Sequence, residues 1–155
     1  MSGGLRAMEA ICRRGVRVDQ DDIEEFMQGL QAEFLSGRLD ALVSRFKMPL
    51  VVYSIAGVTV LRTNEELMQR TEQYRAAMIA MSVVSSKVTV VSRDPPYNHR
   101  FRATVRITDC NADGRAVAGS LVRYFLVKTD GTYQIEMIEY LEAPLPPEEV
   151  ERLVH

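Results

Sequence analysis

Four side chains in the second half of this chain are of types that move protons: His99, Asp109, Tyr124 and Glu139. A carboxylate set among apolar neighbours can serve as a general base, a tyrosine hydroxyl can donate a hydrogen bond to a developing oxyanion, and a histidine can do either. Each also has a plainer use. Glu139 can end at the rim of a sheet or pair with an arginine, and a buried tyrosine often simply finds a backbone acceptor. His99 follows the Pro95-Pro96 loop, a surface context. Catalysis requires that two or more of these groups meet at one point of a cavity, so the elements that carry them decide the matter.

Other chemistries lack their residues. His99 is the only internal histidine and has no cysteine near it, so no metal site is expected. Ser120 stands in Ala118-Gly119-Ser120-Leu121-Val122, which is not a nucleophile elbow. There is no P-loop, GxGxxG or HExxH motif, so no cofactor is expected. The net charge is -2, and only Phe125 and Tyr140 accompany Arg102, Arg106 and Arg123 as aromatics able to stack bases. That pattern disfavours nucleic acid.

The stretch Arg100 to Glu142 positions most of the candidates, and it reads as three consecutive strands. Asp130-Gly131 has the chemistry of a two-residue type I′ turn, which would oppose Lys128 to Tyr133, Leu126 to Ile135, Tyr124 to Met137 and Val122 to Glu139. A four-residue loop from Asn111 to Gly114 would oppose Ile107 to Ala118, Val105 to Ser120, Ala103 to Val122 and Phe101 to Tyr124. Opposed residues share a face, as do residues two apart. One face then holds Phe101, Ala103, Val105, Ile107, Ala118, Val122, Leu126, Ile135, Met137 and Leu141, with Ser120, Tyr124 and Glu139 as polar exceptions and Asp109 at its far end. The other holds Leu121, Phe125, Val127, Ile138 and Tyr140 among Arg102, Arg106, Arg123 and Glu136. An apolar patch of that kind is rarely bare on a soluble monomer. It predicts a homodimer interface of Arg102, Arg106, Leu121, Arg123, Phe125, Ile138 and Tyr140, or a cover from the same chain.

Upstream, Asp19, Asp21 and Asp22 favour a helix start, and Ile23, Phe26, Met27, Leu30 and Phe34 recur at helical spacing. Ser36-Gly37 interrupts the helix. A short second helix carries Leu39, Leu42, Val43 and Phe46 and ends before Pro49. Leu50 to Ile55 and Val58 to Arg62 read as strands around an Ala56-Gly57 turn. Thr63-Asn64-Glu65-Glu66 is a capping box, opening a third helix with Leu67, Thr71, Tyr74, Met78 and Met81 on one face. Val84 to Arg93 is another strand. Pro144, Pro146 and Pro147 end the sheet, and Glu148 to Val154 could add a helical turn or two.

At 155 residues this is one domain with room for a real core. Residues 1–19 read as a loosely attached extension, 20–143 as the domain and 144–155 as a tail. Cys12 and Cys110 form no framework, which suits a reducing compartment. No signal peptide or membrane span is visible, so the expected location is the cytoplasm. Three helices and an antiparallel-rich sheet make an α+β layer domain.

This order of elements resembles the nuclear transport factor 2-like superfamily, particularly its SnoaL-like members, over residues 20 to 143. The likeness rests on the helix followed by Phe46-x-x-Pro49 and a strand, and on the closing Gly131-x-Tyr133-x-Ile135, where tyrosine replaces the family's usual tryptophan. It implies a cystatin-like α+β cone, with three N-terminal helices packed in the concave face of a strongly curved, mostly antiparallel sheet. It implies an inner cavity as well, with Tyr53, Tyr74, Met78, Tyr124, Met137 and Glu139 as the expected lining. The family's isomerases use a carboxylate near the start of the first strand, and residues 46–52 contain none. Its epoxide hydrolases use an Asp–Arg–Asp set, for which Arg123 is on the outer face. Its dehydratases want histidine and tyrosine in the cavity. The expected function is therefore binding of a small, largely apolar molecule, with no cofactor. The alternatives are a cofactor-independent isomerase, dehydratase or hydrolase using Glu139, Tyr124, Asp109 or His99, and a homodimeric protein-interaction module.

Overall fold

The structure is a computed structural model that describes residues 18–143. Its first helix, α1, spans Val18–Ser36, so it begins two residues inside the segment assigned to the extension. The rest of that extension, the tail, the Glu148 to Val154 segment and Cys12 lie outside the described residues. Ile23, Met27, Leu30 and Phe34 are the buried positions of α1, at the three- and four-residue spacing that makes one face of a helix. Burial of each contributes about 1.5–3 kcal/mol. The helix ends at Gly37, whose φ of +76° suits a residue without Cβ. There Arg38 N–H bonds the Glu33 carbonyl at 3.0 Å and Gly37 N–H bonds that of Phe34 at 3.3 Å, the paired closure that satisfies carbonyls left over at a helix end.

A short helix α2 (Leu39–Val43) leads into strand β1 (Phe46–Ser54). The entry is pinned by Arg45, whose guanidinium reaches both Glu33 oxygens at 2.7 and 2.9 Å and stacks on the Phe26 ring. β1 starts earlier than the expected Leu50. It turns at Ile55-Ala56 into β2 (Gly57–Leu61). Helix α3 (Asn64–Ala80) opens with Thr63 Oγ1 accepting from Glu66 N–H at 3.2 Å, while Glu66 Oε2 accepts from Arg62 N–H at 2.8 Å. The reciprocal cap read from the sequence is thus displaced by one residue on its return arm.

Strands β3 (Ser85–Arg93), β4 (Arg100–Cys110), β5 (Ala116–Thr129) and β6 (Thr132–Glu142) complete one sheet of order β2-β1-β6-β5-β4-β3. β1 and β6 are parallel, and the other pairs are antiparallel. Asp130 and Gly131 have φ of +51° and +78°, the two positive values that a type I′ turn demands. Among the described residues, no helix is long and apolar enough to cross a membrane.

Two register expectations need correction. Across β4 and β5, Ile107 faces Ser120, Val105 faces Val122, Ala103 faces Tyr124 and Phe101 faces Leu126, a slip of two residues from the four-residue-loop pairing. Asn111 N–H bonds the Arg115 carbonyl at 2.9 Å, so the loop holds three residues, and a bulge at Val117 adds the second step. Two single-residue steps cancel in parity, so each side chain of both strands keeps its expected face.

In β6 the first step comes between Ile135 and Met137, and a second follows only at Leu141, where Val122 pairs with Tyr140 and Leu121 with Glu142. Leu126 pairs with Ile135 as expected, but Phe125 then pairs with Met137, leaving Glu136 as an extra residue. Between the two steps every side chain changes face. Ile138 and Tyr140 therefore turn inward, and Met137 and Glu139 turn outward, opposite to the uninterrupted alternation. Tyr124 faces Ile138 and Val122 faces Tyr140.

Candidate functional site

Between the helices and the inner side of the sheet lies a cavity of about 190 Å³. Helix α1 contributes Leu30 and Phe34, and α3 contributes Leu67, Thr71, Tyr74 and Met78, four of the five residues of its expected stripe; the fifth, Met81, is the C-cap just past the helix. β1 adds Leu50 and Val52, β4 adds Ile107 and Asp109, β5 adds Ser120 and Tyr124, and β6 adds Ile138 and Tyr140. Walls this apolar with a few converging polar groups are the usual make-up of a small-molecule site.

Asp109, Ser120, Tyr74, Tyr124 and Tyr140 supply part of the polar lining, and Gln31, Ser54, Thr59, Arg70 and Thr71 supply the rest. Asp109 is only 2% exposed, and its Oδ1 accepts a hydrogen bond of 2.6 Å from the buried Ser86 hydroxyl across the β3–β4 pair. Ser86 is held in turn from α1, because Gln28 Nε2 donates to its backbone carbonyl at 3.0 Å. Burial pushes the Asp109 carboxyl above its ordinary value, and the Ser86 hydrogen bond works against that rise. Burial, together with the negative charge of Asp109, likewise raises Tyr140, to about 12. Tyr124 and Tyr74 are pushed up as well, first by burial and then by Tyr140 and Asp109. These mutual influences place the three phenols and the carboxyl in one electrostatic neighbourhood.

The hydroxyls of Tyr74, Tyr124 and Tyr140 make no hydrogen bond with another described residue, and neither does Asp109 Oδ2. Among the described residues no fully buried side-chain oxygen or nitrogen is left without a partner. The unpartnered oxygens here are therefore ones that the free space of the cavity reaches.

Of the four proton-transfer candidates, Asp109 and Tyr124 come together and two do not. Glu139 is on the outer face, where Arg123 Nη1 bonds its Oε1 at 2.5 Å. His99 is exposed beside Arg93, Phe101, Lys128 and Tyr133 around a second pocket of about 270 Å³, whose lining shares no residue with the cavity. Of the expected lining, Tyr74, Met78 and Tyr124 are in place. Met137 turned outward at the bulge, and Tyr53, 40% exposed, shares the outer face with its β-ladder partner Glu139. Tyr140 and Ile138, expected at a dimer interface, line the cavity instead. Sequence reasoning missed Ser86 and Tyr140 as site residues. Ser86 carries no motif, but Tyr140 was findable, since Glu136 to Leu141 offers apolar residues in both parities. Among the described residues, no group of three or more His, Cys, Asp or Glu is placed to hold a metal ion.

The fold and this cavity define an α+β domain with a lined inner pocket. The chain belongs to the family described as NTF2-like protein (DUF6841), which matches residues 20–142. No curated protein matches the sequence. Among solved structures, it is similar to an NTF2-like protein of unknown function from Shewanella oneidensis, at 16% identity, 79% coverage of this chain, 98% of the other, and a TM-score of 0.61. A domain of unknown function with a cystatin-like fold from Nostoc punctiforme is similar at 16% identity, 89% and 85% coverage and a TM-score of 0.62. A second Nostoc punctiforme protein with a cystatin-like fold is similar at 13% identity, 83% and 95% coverage and a TM-score of 0.58. Likeness at that identity establishes fold and leaves function to the site.

Proposed function

We propose that this protein binds a small, largely apolar molecule in its inner cavity, with the molecule's polar end against Asp109, Tyr124 and Tyr140. The observation that carries the reading is the set of unpartnered oxygens of Asp109, Tyr74, Tyr124 and Tyr140 on a mostly apolar lining. A binding cavity of this kind suits helices seated in the concavity of a curved sheet, the arrangement implied by the family resemblance. Support comes from the buried cluster that joins Ile23, Met27 and Leu30 of α1 to Ala103, Val105, Leu126 and Ile135 of the sheet. Thr71 faces the cavity from α3, so Thr71→Trp fills it from one wall. Saturation-transfer NMR against a panel of small aromatic alcohols, ketones and amines is expected to detect binders to the parent protein and to lose them in the variant. Binding that survives the substitution places the ligand elsewhere and ends this reading.

The partner we propose is a second copy of the chain, on the outer face of the sheet. Val60, Val51, Met137 and Phe125 are ladder neighbours across β2, β1, β6 and β5, and so form one apolar row. The charges beside it are balanced within the protomer: Arg100 pairs with Glu136, Arg123 with Glu139, Arg102 with Asp94 and Arg106 with Glu142. A face that is apolar along its middle and neutral at its sides suits a self-complementary two-fold contact. Phe125→Lys is expected to give a folded monomer in sedimentation equilibrium where the parent is a dimer. A parent that stays monomeric at high concentration refutes it.

A further inference from the structure

The end of the cavity that holds Asp109 has an electrostatic imbalance. Asp109 is 2% exposed, and among the described residues no cation forms a salt bridge with it. Arg70 and Asp109 are the charged residues on the cavity lining. Arg70 has an interaction of its own, and it is absent from the influences on Asp109, which are burial and the Ser86 hydrogen bond. A carboxylate removed from water without a counter-ion is costly, and one hydroxyl donor offsets only part of that cost. The missing interaction is a positive charge. Tyr74, Tyr124 and Tyr140, each of which feels the charge of Asp109, line the cavity with it, and so do Phe34 and Phe46. Aromatic faces attract cations, and more strongly where water is excluded.

We propose that the molecule held in this cavity is a small hydrophobic amine, whose ammonium group binds Asp109 while its apolar body lies along Ile107, Ile138 and Met78. This rests on the cavity-binding reading above and gives that ligand its chemical class. Asp109 Oδ2 accepts from the ammonium while Oδ1 keeps its bond from Ser86. The tyrosine hydroxyls, being acceptors as well as donors, complete the coordination of the remaining N–H groups. A neutral alcohol of the same size fits the apolar walls but leaves the carboxylate without its counter-charge. A carboxylic acid adds a second negative charge beside the first.

Three probes of one shape separate these cases: 2-phenylethylamine, 2-phenylethanol and phenylacetate, titrated calorimetrically into the full chain at neutral pH. The amine is expected to bind at least tenfold more tightly than the alcohol, and the acid not to bind. Asp109→Asn is expected to remove the amine's advantage over the alcohol, and its circular dichroism and urea unfolding show that the variant is folded. An alcohol that binds as tightly as the amine, or an acid that binds better, overturns the amine assignment and leaves the cavity reading standing. If none of the three binds, both fail.

Discussion

Replacing Ser86 by alanine removes a single hydroxyl and gives the sharpest test of the Asp109 environment. The Ser86 Oγ to Asp109 Oδ1 distance is 2.6 Å, and both residues are buried, at 8% and 2% exposure. The bond from Gln28 reaches the Ser86 backbone carbonyl, so the substitution leaves it intact. Distances this short are typical of a hydroxyl donating to an ionised carboxylate. Such a bond contributes about 1.5–3 kcal/mol, against about 0.5–1.5 kcal/mol between neutral partners. Ser86→Ala is therefore expected to cost about 1.5–3 kcal/mol at neutral pH and roughly 1 kcal/mol less where Asp109 is protonated. That difference appears as a further rise in the Asp109 pKa.

The sign of the pH dependence follows from linkage. Burial already holds Asp109 above the 3.8 of an ordinary aspartate, so the folded protein binds this proton more tightly than the unfolded chain does. Stability from this group is full below the unfolded value and is lost as pH rises through the folded one. Ser86→Ala moves the upper edge of that window higher and deepens the loss. Urea unfolding of parent and variant, below the ordinary carboxylate range and at neutral pH, measures both ends. A carbon-13 titration of the Asp109 carboxyl measures the midpoint directly. Equal costs at the two pH values, or an unmoved midpoint, would refute the assignment of Asp109 as a buried charged acceptor.

The bulge at Glu136 makes a paired prediction. Ile138→Ala removes a side chain that is 7% exposed and lines the cavity, at an expected cost of about 2–5 kcal/mol, while Met137→Ala on the outer face costs clearly less by urea unfolding. Glu139→Gln breaks an ion pair whose partners are 33% and 36% exposed. It should change stability by no more than about 1 kcal/mol and leave binding of cavity ligands unaltered in the calorimeter. Tyr140 ionises at about 12, above an ordinary phenol, so its proton stabilises the fold up to the ordinary value and that contribution is lost as pH climbs to about 12. Absorbance titration at alkaline pH is expected to lose this late step in Tyr140→Phe.

Much of this fold was legible in the chain itself, wherever the signal was local. The Asp130-Gly131 turn, the Thr63 cap, the Gly37 stop and the apolar stripes of α1 and α3 each depend on residues within a few positions of one another, and each stands where the sequence puts it. The faces of β4 were legible too, because only its odd-numbered positions are apolar, and those of β5 follow by pairing with it, so a register slip of two residues left them unchanged. Thus Tyr124, Asp109, Tyr74 and Met78 reached the cavity from sequence reasoning alone.

Tertiary structure decided the end of β6. Ile135-Glu136-Met137-Ile138-Glu139-Tyr140-Leu141 carries apolar residues in both parities, so local alternation cannot choose between them. The choice falls to pairing on two sides at once, antiparallel to β5 and parallel to β1, where Val52 aligns with Ile138 and Tyr53 with Glu139. The extra residue at Glu136 is the step that joins the turn-directed register of Thr132 to Ile135 to the register set by these neighbours. It puts Tyr140 and Ile138 into the cavity and leaves Glu139 to Arg123 on the outside. The proximity of Ser86 to Asp109, 23 residues apart in sequence, is likewise a product of β3–β4 pairing that no local pattern encodes.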